Sequence, residues 1–243
     1  MIKLENVTKA YPTGNTALAD VSFNIERGEF VFLIGPSGSG KTTLFRLLIR
    51  DTVPTTGSIR IGDWDLVTLP HKKVHNLRKN IGMVFQDLKL LRDRTIYENI
   101  MFPLEVGNMD TKEAKERVDM IIDRVGIADH VNKFPIQLSG GELQRAAIAR
   151  ALAFNPEILL ADEPTGNLDS TTSWEIMKLL QDINAGGTTI IMATHSADIV
   201  NSLKKRTLVL EKGTLTRDDA RESSKHDDSV GLEKDNIVEE TKE

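Results

Sequence analysis

Cysteine is absent from the 243 residues, which excludes disulfides and thiolate chemistry. No run approaches the roughly 18 apolar residues that a membrane span needs. Residues 1–5, MIKLE, pass straight into a strand pattern, so no signal peptide is expected. Sustained coiled-coil heptads are missing as well. So is a basic excess: the formal net charge is −5. From residue 214 onward there are 10 acidic and 5 basic residues, so the tail alone carries −5 and residues 1–213 are close to neutral. A neutral body carries no electrostatic footprint for nucleic acid. What remains is an ordinary composition, 40% hydrophobic and 28% charged. It is enough chain for one large α/β domain with an inserted lobe.

The strongest signal present is at residues 35–42, GPSGSGKT, which match G-x-x-x-x-G-K-[ST]. Residues 30–34 are an apolar run that reads as a buried parallel strand, and residues 43–49 read as a helix. Strand, glycine loop and helix are the context this phosphate-binding motif requires. Glycines let backbone N–H groups face a phosphate without a Cβ in the way, and the helix start adds partial positive charge. Lys41 can reach β- and γ-phosphates, and Thr42 can hold Mg²⁺. A glycine turn before an ordinary helix is the weaker alternative. A nucleoside triphosphate is the expected ligand.

The rest of the chain falls around this loop. Ile2, Leu4 and Val7 predict a strand, and residues 19–25 alternate as a half-buried strand does. Tyr11 lies in the loop between them, either as plain surface or as a platform for a base. Residues 57–66 read as a hairpin turned at Gly62 and Asp63, and residues 69–79 as a basic surface helix. Residues 81–85 form another apolar strand, ending at Gln86, where ligands of open α/β sheets bind. Asp110 and Glu113 have capping-box spacing, and Val118, Ile121, Ile122 and Val125 follow one helix face closed by Gly126. This stretch reads as a helical lobe inserted into the α/β domain.

Ser139, Gly140, Gly141 and Glu142 open a further helix. Ser and Glu at this spacing form a capping box, but two adjacent glycines weaken a helix start unless something must approach its backbone. That makes a second phosphate-binding candidate. Residues 158–162, ILLAD, are a strand ending in Asp162, followed at once by Glu163. Asp162 is aimed at Mg²⁺ in this pattern, and Glu163 is placed to act as general base on water. Residues 166–169 turn into a helix whose stripe is Ile176, Leu179, Leu180 and Ile183. Residues 188–194 form a strand, and His195 at its end is either surface or a γ-phosphate contact. Residues 206–215 read as a final hairpin turned at Lys212 and Gly213, and the acidic remainder as disordered or loosely held.

Taken in order, the glycine loop, Gln86, residues 138–142 (LSGGE), the ILLADE strand end, residues 167–169 (NLD) and His195 resemble the ATP-binding subunits of ABC transporters. The resemblance covers about residues 1–215. It implies an α/β P-loop NTPase with a RecA-like core, an antiparallel β subdomain and an inserted α-helical subdomain at about 88–157; residues 216–243 form the tail. It implies an ATPase that uses ATP and Mg²⁺. Two copies would sandwich two ATP molecules head to tail.

By the same resemblance Tyr11 stacks on adenine. Gly35, Ser37, Gly38, Ser39, Gly40, Lys41, Thr42 and Thr43 cradle the phosphates. Thr42 and Gln86 coordinate Mg²⁺ with Asp162 nearby. Glu163 polarises the attacking water, and His195 contacts the γ-phosphate. Ser139 and Gly141, in the stretch that includes Gly140 and Glu142, meet ATP across the dimer, and Asp169 links the subunits.

Residues 84–99 are also similar to the ABC ATPases of bacterial cell division, whose integral membrane partner is FtsX. Residues 166–169 suit that subgroup and its relatives in lipoprotein and macrolide export. A partner of the FtsX type is expected to dock near residues 86–100, which carry Leu88, Leu90, Leu91, Ile96 and Tyr97 beside Arg92 and Arg94. The expected location is therefore cytoplasmic, peripheral on the inner face of the membrane. A soluble ABC ATPase acting on DNA or ribosomes is the competing reading; such proteins usually carry two cassettes or a long coiled-coil insert.

Overall fold

The computed structural model describes residues 1–219. β1 (Ile2–Ala10) and β2 (Thr16–Ile25) form a hairpin, and β3 (Phe30–Ile34) leads through the glycine loop into α1 (Lys41–Leu48). β4 (Thr56–Ile61) and β5 (Trp64–Asp65) form the second hairpin, followed by α2 (Val74–Lys79) and β6 (Ile81–Val84). Three helices follow: α3 (Ile96–Val106), α4 (Thr111–Val125) and α5 (Gly140–Ala151). β7 (Ile158–Asp162), α6 (Ser170–Ala185), β8 (Thr189–Ala193), α7 (Ala197–Leu203), β9 (Arg206–Glu211) and β10 (Thr214–Asp219) complete the described chain.

The strands make two sheets. One is antiparallel, in the order β2-β1-β4-β5; the other has the order β10-β9-β3-β8-β7-β6 and is parallel except for β10. The central strands β3, β7 and β8 are apolar except for Asp162 and Thr189 at their ends, because both faces are covered. Their period-2 alternation divides the core in two. Phe30, Phe32, Leu159, Ala161, Ile190 and Met192 face a layer built from α3, α4, α5 and α6. Val31, Leu33, Ile158, Leu160, Ile191 and Ala193 face α1, α2 and the antiparallel sheet. The glycine loop thus leaves the middle of a sheet buried on both sides.

Three expectations change in detail. The helix anticipated over 69–79 is a 3₁₀ turn at His71–Lys73 running into the short α2. Pro70, at φ −59 and ψ 139, is extended and keeps Leu69 out of it. Asp110 caps α4 by accepting from the N–H groups of Lys112 and Glu113, without the reciprocal bond that a box needs. β10 continues to Asp219, four residues into the stretch assigned to the tail. Arg206 anchors it, bonding Asp218 at 2.8 and 2.7 Å and Glu29 at 3.1 Å. The expectation of disorder from residue 220 onward lies outside the described residues.

Candidate nucleotide site

The loop between β3 and α1 is locked from behind. A Cβ on Gly35 (φ +155) would lie 2.1 Å from the Leu210 carbonyl oxygen, and one on Gly40 (φ +109) would lie 2.6 Å from that of Ala17. Both positions therefore exclude side chains on steric grounds. Gly213, in the last hairpin turn, donates to the Ser39 carbonyl at 3.1 Å. In front, Lys41 Nζ donates to the carbonyls of Gly35 at 2.7 Å and Pro36 at 3.1 Å, so the ammonium curls back across the loop. The Ser39 hydroxyl is buried without a partner. A cavity of about 590 Å³ opens over the loop, a size suited to a small-molecule ligand. Tyr11, Gln86, Asp162, Glu163 and His195 line it with residues 35–43. Asn15, Thr16 and Ala17 line it too; they carry no motif by which a sequence reading could have found them.

Strands β7 and β8 deliver the acidic end of the site. Thr42 Oγ1 donates to Asp162 Oδ2 at 3.3 Å. Glu163 has φ 50 and is held there by its N–H to the Ala193 carbonyl at 3.0 Å; its own carbonyl accepts from Gly166 at 3.1 Å. Its Oε2 lies 3.3 Å from His195 Nδ1. A non-glycine residue in the left-handed region is a local strain that surrounding bonds must hold. The hydroxyl of Thr42, the carboxylate of Asp162 and the amide of Gln86 are oxygen donors on one cavity. That set fits a hard divalent ion that keeps water and phosphate among its ligands. Among the described residues no cluster of three or more His, Asp or Glu forms an all-protein cage.

Asp162 is only 6% exposed. Burial pushes its carboxyl above the ordinary range; the Thr42 hydroxyl opposes this and the Glu163 charge adds to it. A carboxyl raised in the folded chain holds its proton more tightly there than in the unfolded chain. Keeping it ionised therefore lowers stability above the raised pKa, and the penalty fades as pH falls through it. Asp162→Asn removes the charge and leaves an acceptor for Thr42. At neutral pH the nucleotide-free variant is expected to be more stable than the parent by about 1 kcal/mol. The two urea midpoints should converge as pH falls into the carboxylate range. A variant no more stable at neutral pH would remove this account of the site.

The second phosphate candidate is elsewhere. Ser139, Gly140, Gly141 and Glu142 line a separate cavity of about 270 Å³ with Arg145, Asn167, Leu168, Asp169, Thr172 and Glu175. None of these residues lines the cavity over the glycine loop. Ser139 caps α5, and the reciprocal bond from the Ser139 N–H to Glu142 Oε2, 2.7 Å, completes the capping box. That bond holds the Glu142 carboxyl below the usual range, and its other oxygen lies 2.9 Å from His130 Nε2. Asp169 caps α6 and accepts from the Thr172 hydroxyl at 2.5 Å, which likewise lowers its carboxyl. Both carboxylates are engaged at their own helix ends. The adjacent glycines have a reason within the chain: a Cβ on Gly141 would lie 2.5 Å from Thr172 Cγ2, and one on Gly140 3.1 Å from Leu168 Cδ2.

The segment expected to dock a partner turns partly inward. Ile96 is buried, and Leu88, Leu90 and Tyr97 pack against the helical layer. Asn99 is fully buried, a polar residue on the face shared with Ile96 and Ile100. It accepts from the Leu91 N–H at 2.7 Å and donates to the carbonyls of Leu91, Arg94 and Thr95. A polar side chain at an apolar helical position was the available signal for it. An open groove of about 810 Å³ lies beside β6, lined by His71, Lys72, Met83, Phe85, Lys89, Val106 and Phe154 among others.

The sequence pattern of a family described as ABC transporter matches residues 18–166. The chain is 48% identical over 221 residues to the cell division ATP-binding protein FtsE of Bacillus subtilis, covering 91% of this chain and 97% of that protein. Identity to the protein of the same name from Mycobacterium tuberculosis is 48% over 222 residues, covering 91% and 96%. The fold is similar to the dimeric post-hydrolysis structure of the ATP-binding cassette MJ0796 bound to ADP and Pi. The TM-score is 0.81 at 38% identity, over 90% of this chain and 97% of that one.

Proposed function

The chain belongs to the ABC transporter family, and from that premise we propose that it is an ATP-hydrolysing subunit whose two copies close head to tail on ATP to drive a membrane partner in bacterial cell division. One observation carries the reading: the glycine-loop cavity and the Ser139 cavity share no residue. Each is half of a site, and a two-fold arrangement of two chains supplies both halves twice. The MJ0796 cassette bound to ADP and Pi is described as dimeric.

Within each composite site, Tyr11 stacks on adenine and residues Gly35 to Thr43 hold the phosphates. The Lys41 ammonium exchanges its two carbonyl partners for phosphate oxygens. Thr42 and Gln86 would hold Mg²⁺ with Asp162 beside them, and the ion would supply charge neutralisation at the phosphates. Glu163 accepts a proton from the attacking water. His195 steadies the Glu163 carboxylate and reaches the γ-phosphate. Ser139, Gly140 and Gly141 close on that phosphate from the other chain, where the α5 N-terminus favours negative charge. Glu142 stiffens that helix start, and Asp169 stands at the contact between the chains.

The relatives' name, cell division ATP-binding protein, supports a partner of the FtsX type. Among the described residues no helix is long and apolar enough to cross a membrane, and attachment to the inner face of the membrane comes through that partner. The groove beside β6 is the docking site in this reading. Val106, 65% exposed, stands on its wall, as does the exposed Lys72. Val106→Asp combined with Lys72→Glu is expected to reduce co-purification with an integral membrane protein from detergent-solubilised membranes by about tenfold or more. Equilibrium binding of ATP should be unchanged. Undiminished co-purification would place the docking surface elsewhere.

A further inference from the structure

Gln86 is followed by a short irregular segment in an unfavourable conformation. Leu88 has φ 59 and Lys89 φ 50. Consecutive non-glycine residues in the left-handed region are each strained, and they persist only where the surroundings hold them. Local bonds do part of this. The Leu88 N–H donates to the Phe85 carbonyl at 2.9 Å, and the Lys89 N–H to that of Asp87 at 2.6 Å.

The remaining hold comes from the last turn of α5, more than 60 residues away in sequence. Arg150 Nη2 donates to the Leu88 carbonyl at 2.6 Å, and Nη1 donates to the Lys89 carbonyl. Among the described residues Arg150 has no carboxylate partner. Burial pushes its guanidinium down from the ordinary arginine value. A partly buried charge directed wholly at two main-chain carbonyls is a costly device for packing alone. The planar fork of arginine spans two adjacent carbonyls at once, which a lysine ammonium does as a single point at best. Arg150 also stands on the wall of the groove beside β6, next to Phe85 and Lys89.

We propose that Arg150 is a positioning residue for Gln86. Its guanidinium clamps the Leu88 and Lys89 carbonyls, and this sets where the Gln86 amide stands in the nucleotide cavity. The inference rests on the role assigned to Gln86 above. Arg150 lines no part of the nucleotide cavity, so it acts only through the segment it holds.

The test compares Arg150→Met, Arg150→Lys, Gln86→Ala and the double variant Gln86→Ala with Arg150→Met. Hydrogen exchange in the nucleotide-free protein reads the clamp directly. Arg150→Met is expected to speed exchange of the amides of residues 88–91 about tenfold, with β7 and β8 unchanged. In the same variant kcat should fall about tenfold, as a displaced site group commonly produces, with little change in ATP affinity. Arg150→Lys should recover part of both effects. The double variant should be no slower than Gln86→Ala alone, since one residue acts through the other. Unchanged exchange at residues 88–91 would overturn the clamp. So would losses of kcat that multiply in the double variant. If Gln86→Ala alone left kcat intact, the role of Gln86 would fall, and the exchange data would still show whether Arg150 holds the segment.

Discussion

Glu163→Gln is expected to cut ATP turnover about 10²–10⁴-fold, the range lost when a positioned general base is removed, while ATP binding persists. The argument is one of shape against charge. Glu163 leaves β7 at φ 50, fixed by the Ala193 and Gly166 backbone bonds. None of those bonds involves the side chain, so glutamine is placed where glutamate was. What it lacks is the carboxylate oxygen that accepts a proton from water. The 3.3 Å approach of Oε2 to His195 Nδ1 can be kept by the amide. Nucleotide contacts made by the glycine loop are untouched. The closed dimer should therefore form on ATP and fail to reopen, because reopening waits on hydrolysis. Two measurements check this: phosphate release under saturating ATP, and the elution volume on size exclusion with ATP present. Near-normal phosphate release would remove Glu163 from its role. A slow variant that stays monomeric with ATP would separate catalysis from dimer closure and sink the closure model.

Mixing two inactive proteins is expected to restore activity. Lys41→Ala lacks a working glycine loop, and Ser139→Arg lacks a working signature helix. In a mixed dimer, the intact loop of the Ser139→Arg chain faces the intact Ser139 of the Lys41→Ala chain, so one of the two sites is whole. Random pairing of equal amounts makes about half of the dimers mixed, and independent sites would then recover about a quarter of the parental rate. The disjoint lining of the two cavities is the reason to expect this. Ser139→Arg also removes the hydroxyl that caps α5, a loss of about 1 kcal/mol. Circular dichroism and a urea midpoint for that variant are therefore part of the experiment. A folded Ser139→Arg protein that hydrolyses ATP like the parent would show that Ser139 is not needed across the interface. Two folded, inactive proteins that gain nothing on mixing would exclude independent composite sites.

Much of the candidate site was legible from local order along the chain. The strand, loop and helix around residues 35–42 are consecutive. The ILLADE strand end carries Asp162 and Glu163 side by side, and His195 follows a strand of the same sheet. The cap at Ser139 was equally readable, because its side chain bonds a backbone group three residues ahead. Helix α4 was visible too, since Val118, Ile121, Ile122 and Val125 repeat with the helix and bury together.

Contacts between distant stretches were not legible. Gly140 and Gly141 read as bare backbone kept for a phosphate, and the folded chain adds a second reason for them, since a Cβ on Gly141 would meet Thr172 and one on Gly140 Leu168 of the same chain. Leu88 and Leu90 read as a docking surface, and both are half-buried against the helical layer. Asn99 and Arg150 fasten the segment after Gln86, at bond separations of 8 and about 60 residues. The physical reason is the same in each case. Motif spacing, caps and periodicity report interactions within a turn or two of chain, and those the sequence determined alone. Which face of an apolar segment finds a partner, and which buried polar group holds a backbone 60 residues away, depends on how two layers close on one sheet, and only the folded chain decided it.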